Sequence, residues 1–334
     1  MEKVTTVGID LAKSVFSLHG VDTHGAVVLR KTVSRAKLLA MVAQLPPCLI
    51  GMEACSGAHE WARRFAGFGH TVKLMAGKFV AAYRKSGKND GNDAEAICEA
   101  VARPSMRFVP VKSREQQAQL CVHRVREGFV QERTATLNRL RGLLAEFGYV
   151  MPLGALPMRR QVSQWLEELP AGVAQIARDL LEHERLLEQR SLEYARQIEA
   201  HVRESELARR AQAQIGVGPI TASAIVASVG EAREFKNGRQ FAAWLGLVPR
   251  QHSTGGKTRL GQITRSGDAY LRTLLVLGAR SVLKRAPRER DPLSRWALAV
   301  RERRGYHRAC VAIAAKNARR VWAALAGRSP PTAA

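Results

Sequence analysis

The chain lacks any apolar run long enough to cross a membrane. Its longest apolar stretches, such as Leu274 to Ala279 and Ala309 to Ala315, fall far short of the roughly 20 residues a helical span needs. The opening decapeptide MEKVTTVGID enters a β-branched run almost at once. It has no signal-peptide apolar region, so a cytoplasmic protein is expected. Cysteine is sparse: Cys48, Cys55, Cys98, Cys121 and Cys310 are scattered, odd in number and form no CxxC pair. That argues against a zinc site or a disulfide framework and for a reducing compartment. Acidic residues are also scarce, 29 against 53 Lys and Arg, for a formal net charge of +24. A protein this basic repels itself unless an anion neutralises it, and nucleic acid is the usual partner. Arginine drift in a GC-rich genome is the competing source of charge, and only motifs decide between them.

What is present is enough for two or three folded units: 334 residues, 46% hydrophobic. Residues 1–112 alternate strands and helices. Val4 to Asp10, Val15 to His19 and Val27 to Val33 read as three consecutive antiparallel strands, with a turn at Asp22-Thr23-His24-Gly25. A helix from Arg35 to Gln44 stops at Pro46-Pro47. A short buried strand runs from Cys48 to Glu53, Ser56 is a candidate cap for a helix reaching Phe68, and Thr71 to Met75 is a further strand. A last helix opens near Asp90 and ends before Pro104. The order βββαβαβα is that of a ribonuclease-H-like domain.

Residues 113–205 are helical. One helix from the capping pair Ser113/Gln116 to Phe147 carries Arg124, Arg126, Arg133, Arg139 and Arg141, a candidate nucleic-acid face. A second spans Val173 to Leu207, with Val173, Leu180, Leu187 and Tyr194 recurring every seven residues as a narrow seam. Residues 206–334 begin with IGVGPIT, where two glycines precede Pro219 at a helix start. Such an element resembles a helix-hairpin-helix unit whose glycines let backbone approach a phosphate. A short helix near Gln240 to Leu245, a Gly/Ser/Thr/Arg-rich loop from Pro249 to Asp268, and helices near 270–285, 292–304 and 307–326 complete the chain.

Two constellations carry chemistry. Asp10 ends the first strand, Glu53 ends the fourth, and Asp90 and Asp93 open a helix in KNDGNDAEA. If the first and fourth strands are neighbours, these carboxylates meet at one end of a sheet. Clustered carboxylates repel, and hard divalent ions such as Mg²⁺ remove that cost while serving phosphoryl transfer. The bland alternatives are a helix N-cap for Asp90 or Asp93 and a turn for Asp10. The second constellation is Ser253, in PRQHSTGGKTR, with Arg250, Lys257, Arg259 and Arg265 able to neutralise a phosphate. A serine hydroxyl needs help to become a nucleophile. The bland alternative is a basic loop that only grips phosphate.

The blocks GIDLAK, GMEACSGAHEWARR, KNDGNDAEAI, NRLRGLLAEFGYVMP, IGVGPITA and GLVPRQHSTGGKTRLGQITRSGDAYLR, in this order, resemble transposases of the IS110 insertion-sequence family and its IS1111-type branch. The resemblance covers nearly the whole chain. It implies an α/β RuvC-like domain (1–112), a helical coiled-coil middle (113–205) and a mostly helical C-terminal transposase domain (206–334). The family's acidic tetrad maps onto Asp10, Glu53, Asp90 and Asp93, and its serine onto Ser253, with Thr254 the neighbouring alternative. The resemblance further implies transposition by Mg²⁺-dependent DNA recombination through a phosphoserine link. The acids of one subunit would work with the serine of another, in a dimer or tetramer that binds donor and target DNA under a structured non-coding guide RNA. Two other readings compete with it: a junction-resolving nuclease without a serine step, and a non-catalytic nucleic-acid binder.

Overall fold

The computed structural model describes residues 3–85, 87, 89–230, 232–288 and 291–327. The chain forms two compact units, 1–113 and 114–334.

The first unit is a six-stranded mixed sheet with helices. Its strands are β1 (Thr6–Asp10), β2 (Val15–Val21), β3 (Val27–Ser34), β4 (Leu49–Glu53), β5 (Thr71–Met75) and β6 (Phe108–Val109). They lie in the order β3-β2-β1-β4-β5-β6. β1, β2 and β3 are antiparallel neighbours, whereas β1, β4 and β5 run parallel. The two parallel steps are crossovers through α1 (Arg35–Ala43) and α2 (Ala58–Gly67). Phe16, Leu38, Val42, Ile50, Met52, Trp61 and Phe65 make one core on that side. The cap of α2 is Gly57, at φ 82°, and not Ser56. A residue leaving a tight turn in the left-handed region is best supplied by glycine. A short α3 (Gly77–Val80), a single 3-10 turn and strand β6 were not foreseen in the sequence. The helix opening near Asp90 is α4 (Asp90–Val101).

Among the described residues, the second unit is helical apart from one hairpin. Two long helices, α5 (Arg114–Ala145) and α7 (Ala171–Glu204), flank α6 (Ala155–Trp165). Leu140, Leu144, Met158, Val162, Leu169, Ala174, Ala177 and Leu181 form their shared core. The seam of α7 differs from the expected one. Its buried residues are Ala174, Ala177, Leu181, Glu184, Leu187, Ser191, Ile198 and Val202. Of the expected set only Leu187 is buried, and Val173, Leu180 and Tyr194 are half-buried flanks. The heptad step was correct and the register was not, because the true seam uses two alanines, a serine and a glutamate that an apolar pattern passes over. The helix also ends earlier than expected. Ser205 adopts an extended conformation and accepts from the Ala208 N–H, starting α8 (Glu206–Gln212).

Helices α9 (Pro219–Val229), α10 (Gly238–Trp244), α11 (Ala269–Arg285), α12 (Pro292–Arg304) and α13 (Tyr306–Leu325) pack around Ile225, Phe241, Leu271, Leu275, Ile313 and Val321. The loop expected from Pro249 is a hairpin of β7 (Pro249–Gln251) and β8 (Leu260–Ile263). Among the described residues no helix is long and apolar enough to cross a membrane.

Candidate active site

β1 and β4 are paired in parallel register, Gly8 beside Gly51 and Ile9 beside Met52. Side chains alternate along a strand, so Asp10 shares a face with Gly8, and Glu53 with Gly51. α4 lies on that face. A Cβ at Gly8 would stand 2.2 Å from the Ala94 carbonyl oxygen and 2.4 Å from the Cys98 nitrogen. A Cβ at Gly51 would stand 2.7 Å from Val101 Cβ. The two glycines are thus a saddle for the helix, Gly8 under its backbone and Gly51 under the Val101 side chain. Cys98 also reaches back to the Thr6 carbonyl oxygen. The helix therefore runs against the strands, and its first turn lies toward their carboxyl ends, where Asp10 and Glu53 stand. The Cys55 thiol, next to β4, is pushed up by burial and then by the charges of Glu53 and Asp10. Gly77 keeps space for the Glu53 carboxylate, since a Cβ there would be 2.9 Å from Glu53 Oε2.

Asp90 and Asp93 occupy the first turn of α4, but neither caps it. The cap is Asn89, whose side chain accepts from the Asn92 N–H at 2.8 Å. Asp90 is exposed and Asp93 is buried. Arg84 Nε donates to Asp93 Oδ1 at 2.5 Å. As it stands, Asp93 answers to a guanidinium. Among the described residues no three His, Cys, Asp or Glu side chains are gathered closely enough to hold a metal ion. The structure thus brings Asp10, Glu53 and the start of α4 to one end of the sheet without closing them into a cluster. Gly8, Gly51, Gly77 and Arg84 escaped the sequence reading. The first two were legible, because each strand acid is preceded by a glycine two residues earlier.

Ser253 lies near the tip of the β7–β8 hairpin, where residues 249–262 are all exposed. Thr254 and Lys257 bridge across the tip, with the Lys257 N–H donating to the Thr254 carbonyl at 3.1 Å. Gly255 and Gly256 between them have φ 55° and 76°. Two successive positive φ values define the two-residue turn whose twist suits a hairpin, and glycine is its natural occupant. Ser253 Oγ accepts from Gln251 Nε2 at 2.9 Å and from the Arg259 N–H at 3.3 Å. His252 is tied through its backbone N–H to the Arg259 carbonyl. No imidazole or carboxylate bonds to the Ser253 hydroxyl among the described residues. Of the basic residues expected here, Arg250 donates to the Thr264 carbonyl, while Lys257, Arg259 and Arg265 are exposed.

On α5, Arg124 and Arg139 are exposed, and Arg126 is half-buried near Tyr270. Arg133, expected on a nucleic-acid face, is engaged by two carboxylates of α7. Its Nε donates to Glu184 Oε1 and its Nη2 to Glu188 Oε1, each at 2.6 Å. Arg159 donates to the same two carboxylates. Charge on a helix does not reveal which arginine meets a buried glutamate on the next one. Gly216 also departs from expectation. Its φ is 82°, and a Cβ there would meet Val282 at 2.6 Å and Asn317 at 2.9 Å. It permits close packing on α11 and α13. Gly218, at the start of α9, keeps open space around its Cβ position.

A model described as a transposase, of the DEDD, IS110 type, matches residues 7–148. The model of the transposase IS116/IS110/IS902 family matches residues 208–294. A probable family 20 transposase of Pseudomonas aeruginosa is 50% identical over 96% of this chain and 97% of its own length. The transposase for insertion sequence element IS1111A of Coxiella burnetii is 41% identical over 97% of this chain and 90% of its own. The transposase for insertion sequence element IS1328 of Yersinia enterocolitica is 40% identical over 96% and 97%. The chain belongs to the IS116/IS110/IS902 family of insertion-sequence transposases.

Proposed function

We propose that this transposase cuts and rejoins DNA by divalent-metal-dependent phosphoryl transfer, with Ser253 as the nucleophile and an element-encoded RNA choosing the DNA sites. The observation that carries the reading is the shared face of Asp10 and Glu53 at adjacent parallel strand ends, under the start of α4. We take this first unit as RuvC-like, that is, ribonuclease-H-like.

The donor set fits a hard cation. Asp10, Glu53, Asp90 and Asp93 offer only oxygen, the ligand Mg²⁺ prefers. Asp93 must leave Arg84 to take part. Mg²⁺ held by these residues would neutralise charge on the scissile phosphate. The chain itself must then deliver a nucleophile and hold the phosphodiester. Ser253 stands near the tip of an exposed hairpin whose two glycines leave the backbone approachable. Arg250, Lys257, Arg259 and Arg265 surround it in sequence and counter the phosphate charge.

The covalent step is a transesterification. Ser253 Oγ forms a bond to phosphorus as a deoxyribose oxygen leaves. The serine proton passes to solvent, and the leaving oxygen takes one up. Attack by a second strand's hydroxyl reverses the step, so no ATP is consumed. The guide RNA rests on the resemblance to the family and on the +24 charge. Base pairing would select sites while protein holds backbones. Working subunits in a dimer or tetramer belong to the same reading.

The test uses purified protein, its flanking non-coding RNA and end-labelled donor DNA, run on a denaturing gel. A protein–DNA adduct is expected with the native chain, none with Ser253→Ala, and no strand exchange with Asp10→Asn. An adduct persisting in Ser253→Ala moves the nucleophile, to Thr254 first. That no imidazole or carboxylate bonds to Ser253 among the described residues favours one second reading, a hydrolytic nuclease on the same acids. It predicts free DNA ends and no adduct at all.

A further inference from the structure

The corner between α12 and α13 is occupied by Arg301-Glu302-Arg303-Arg304-Gly305-Tyr306-His307-Arg308, and all eight residues are exposed. None of its four arginines forms an ion pair or a side-chain hydrogen bond among the described residues. The corner is nevertheless held firmly. Val300 is buried just before it, and Ala309 and Cys310 just after. Gly305 turns the chain at φ 82°, with its N–H on the Arg301 carbonyl at 2.8 Å and its carbonyl accepting from the Ala309 N–H at 3.1 Å. Tyr306 presents its ring to solvent at 41% exposure. The His307 ring meets it edge-on at 5.5 Å and 82°.

We propose that this corner binds an unpaired nucleic-acid strand, with Tyr306 stacking on a base and Arg301, Arg304 and Arg308 holding the flanking phosphates. Arg301 and Arg304 are three apart on α12 and share a face. Phosphate grip alone would suit a duplex as well as a single strand. The aromatic ring decides between them. A base inside a duplex already has both faces stacked, whereas an unpaired base offers one to a side chain. An exposed tyrosine set among unpaired arginines on an ordered turn is the arrangement that uses that free face. The ordering of the turn also lowers the entropy lost on binding. The site shares no residue with the acids or with Ser253, so it stands whether or not the serine step is correct.

The experiment measures affinity of the full-length chain for three probes: oligo-dT, oligo-rU and a mixed-sequence duplex. Tyr306→Ala should weaken one or both single-strand probes about tenfold, as one lost stacking contact implies. It should leave the duplex unchanged. Tyr306→Phe, which keeps the ring, should restore single-strand affinity. Replacing Arg301, Arg304 and Arg308 together by Ala should lower the salt-dependence slope for single strands by about two. The two single-strand arms show whether DNA or RNA is the occupant. Unchanged single-strand affinity in Tyr306→Ala, or an equal loss on the duplex, overturns the proposal, as does failure of Tyr306→Phe to rescue.

Discussion

Gly8 of β1 and Gly51 of β4 stand side by side in parallel register, and α4 rests on both, its backbone on Gly8 and its Val101 side chain on Gly51. That contact places the first turn of α4 at the strand ends carrying Asp10 and Glu53. A methyl group at Gly8 would lie 2.2 Å from the Ala94 carbonyl oxygen, a backbone atom that cannot swing aside. Gly8→Ala should therefore destabilise the protein by about 3 kcal/mol or more and abolish activity by lifting α4. Gly67→Ala, in α2 with nothing within 4 Å of its Cβ position, should be neutral or mildly stabilising. Urea unfolding of both variants checks the contrast. Equal midpoints would mean that α4 does not depend on the saddle.

Much of this was legible from local chemistry. Strands with β-branched runs and helices with clear stops came out within a residue or two, as α11, α12 and α13 illustrate. The neighbourhood of the first and fourth strands was also anticipated, since it follows from element order. What escaped depends on contacts remote in sequence. The Arg84–Asp93 pair is invisible until α4 is placed. The seam of α7 hides in Ala174, Ala177, Glu184 and Ser191, because alanine and polar residues carry no apolar signal. The 249–263 hairpin reads as a loop because Ser, Thr, Gly and Arg dominate it, although Gly255-Gly256 is a hairpin turn signal in its own right.

Arg84 controls Asp93. Their bond, at 2.5 Å, joins a partly exposed guanidinium to a largely buried carboxylate. If Asp93 serves a divalent ion, Arg84 competes with that ion. Arg84→Gln should tighten Mn²⁺ binding, used as a probe for the hard-ion site, roughly fivefold, the equivalent of about 1 kcal/mol for such a pair. Asp93→Asn should weaken it. Calorimetric titration reads both. Weaker binding in Arg84→Gln would make Arg84 a support of the site and not its competitor.

Arg133 and Arg159 converge on Glu184, whose side chain is 1% exposed. Burial raises the affinity of Glu184 for a proton, but hydrogen bonds from Arg159 and Arg133 outweigh it and hold the carboxyl below its usual range. Removing the charge leaves two guanidiniums facing each other in the helical seam. Glu184→Gln should cost about 3–5 kcal/mol, whereas Glu188→Gln, more exposed, should cost about 1 kcal/mol. A lowered carboxylate contributes stability above its unfolded value and loses it as pH falls through the folded one. The same geometry sets a binding prediction. Arg124→Ala should lower the salt slope of DNA binding by about one, and Arg133→Ala should not. A lower slope for Arg133→Ala would mean that the network opens to release Arg133 to DNA.

His123 is buried in α5 between Tyr270 and Ser223, its Nδ1 at 3.1 Å from the tyrosine hydroxyl and its Nε2 at 3.0 Å from the serine hydroxyl. Gln119 Nε2 also donates to that serine. Burial chiefly, then the charge of Arg126, lowers the imidazole from 6.5 to about 4. The folded chain thus holds it neutral, while the unfolded chain protonates it below about 6.5. Between the two values the unfolded state binds the extra proton, so stability falls as pH drops through that window and is complete above it. The loss from about pH 7 to about pH 5 should be roughly 2 kcal/mol. His123→Gln should be less stable at neutral pH and should lose this component of the acid sensitivity. Urea midpoints of both chains at the two pH values measure it. A variant as acid-sensitive as the native chain would assign the effect to the carboxylates and leave His123 a packing residue only.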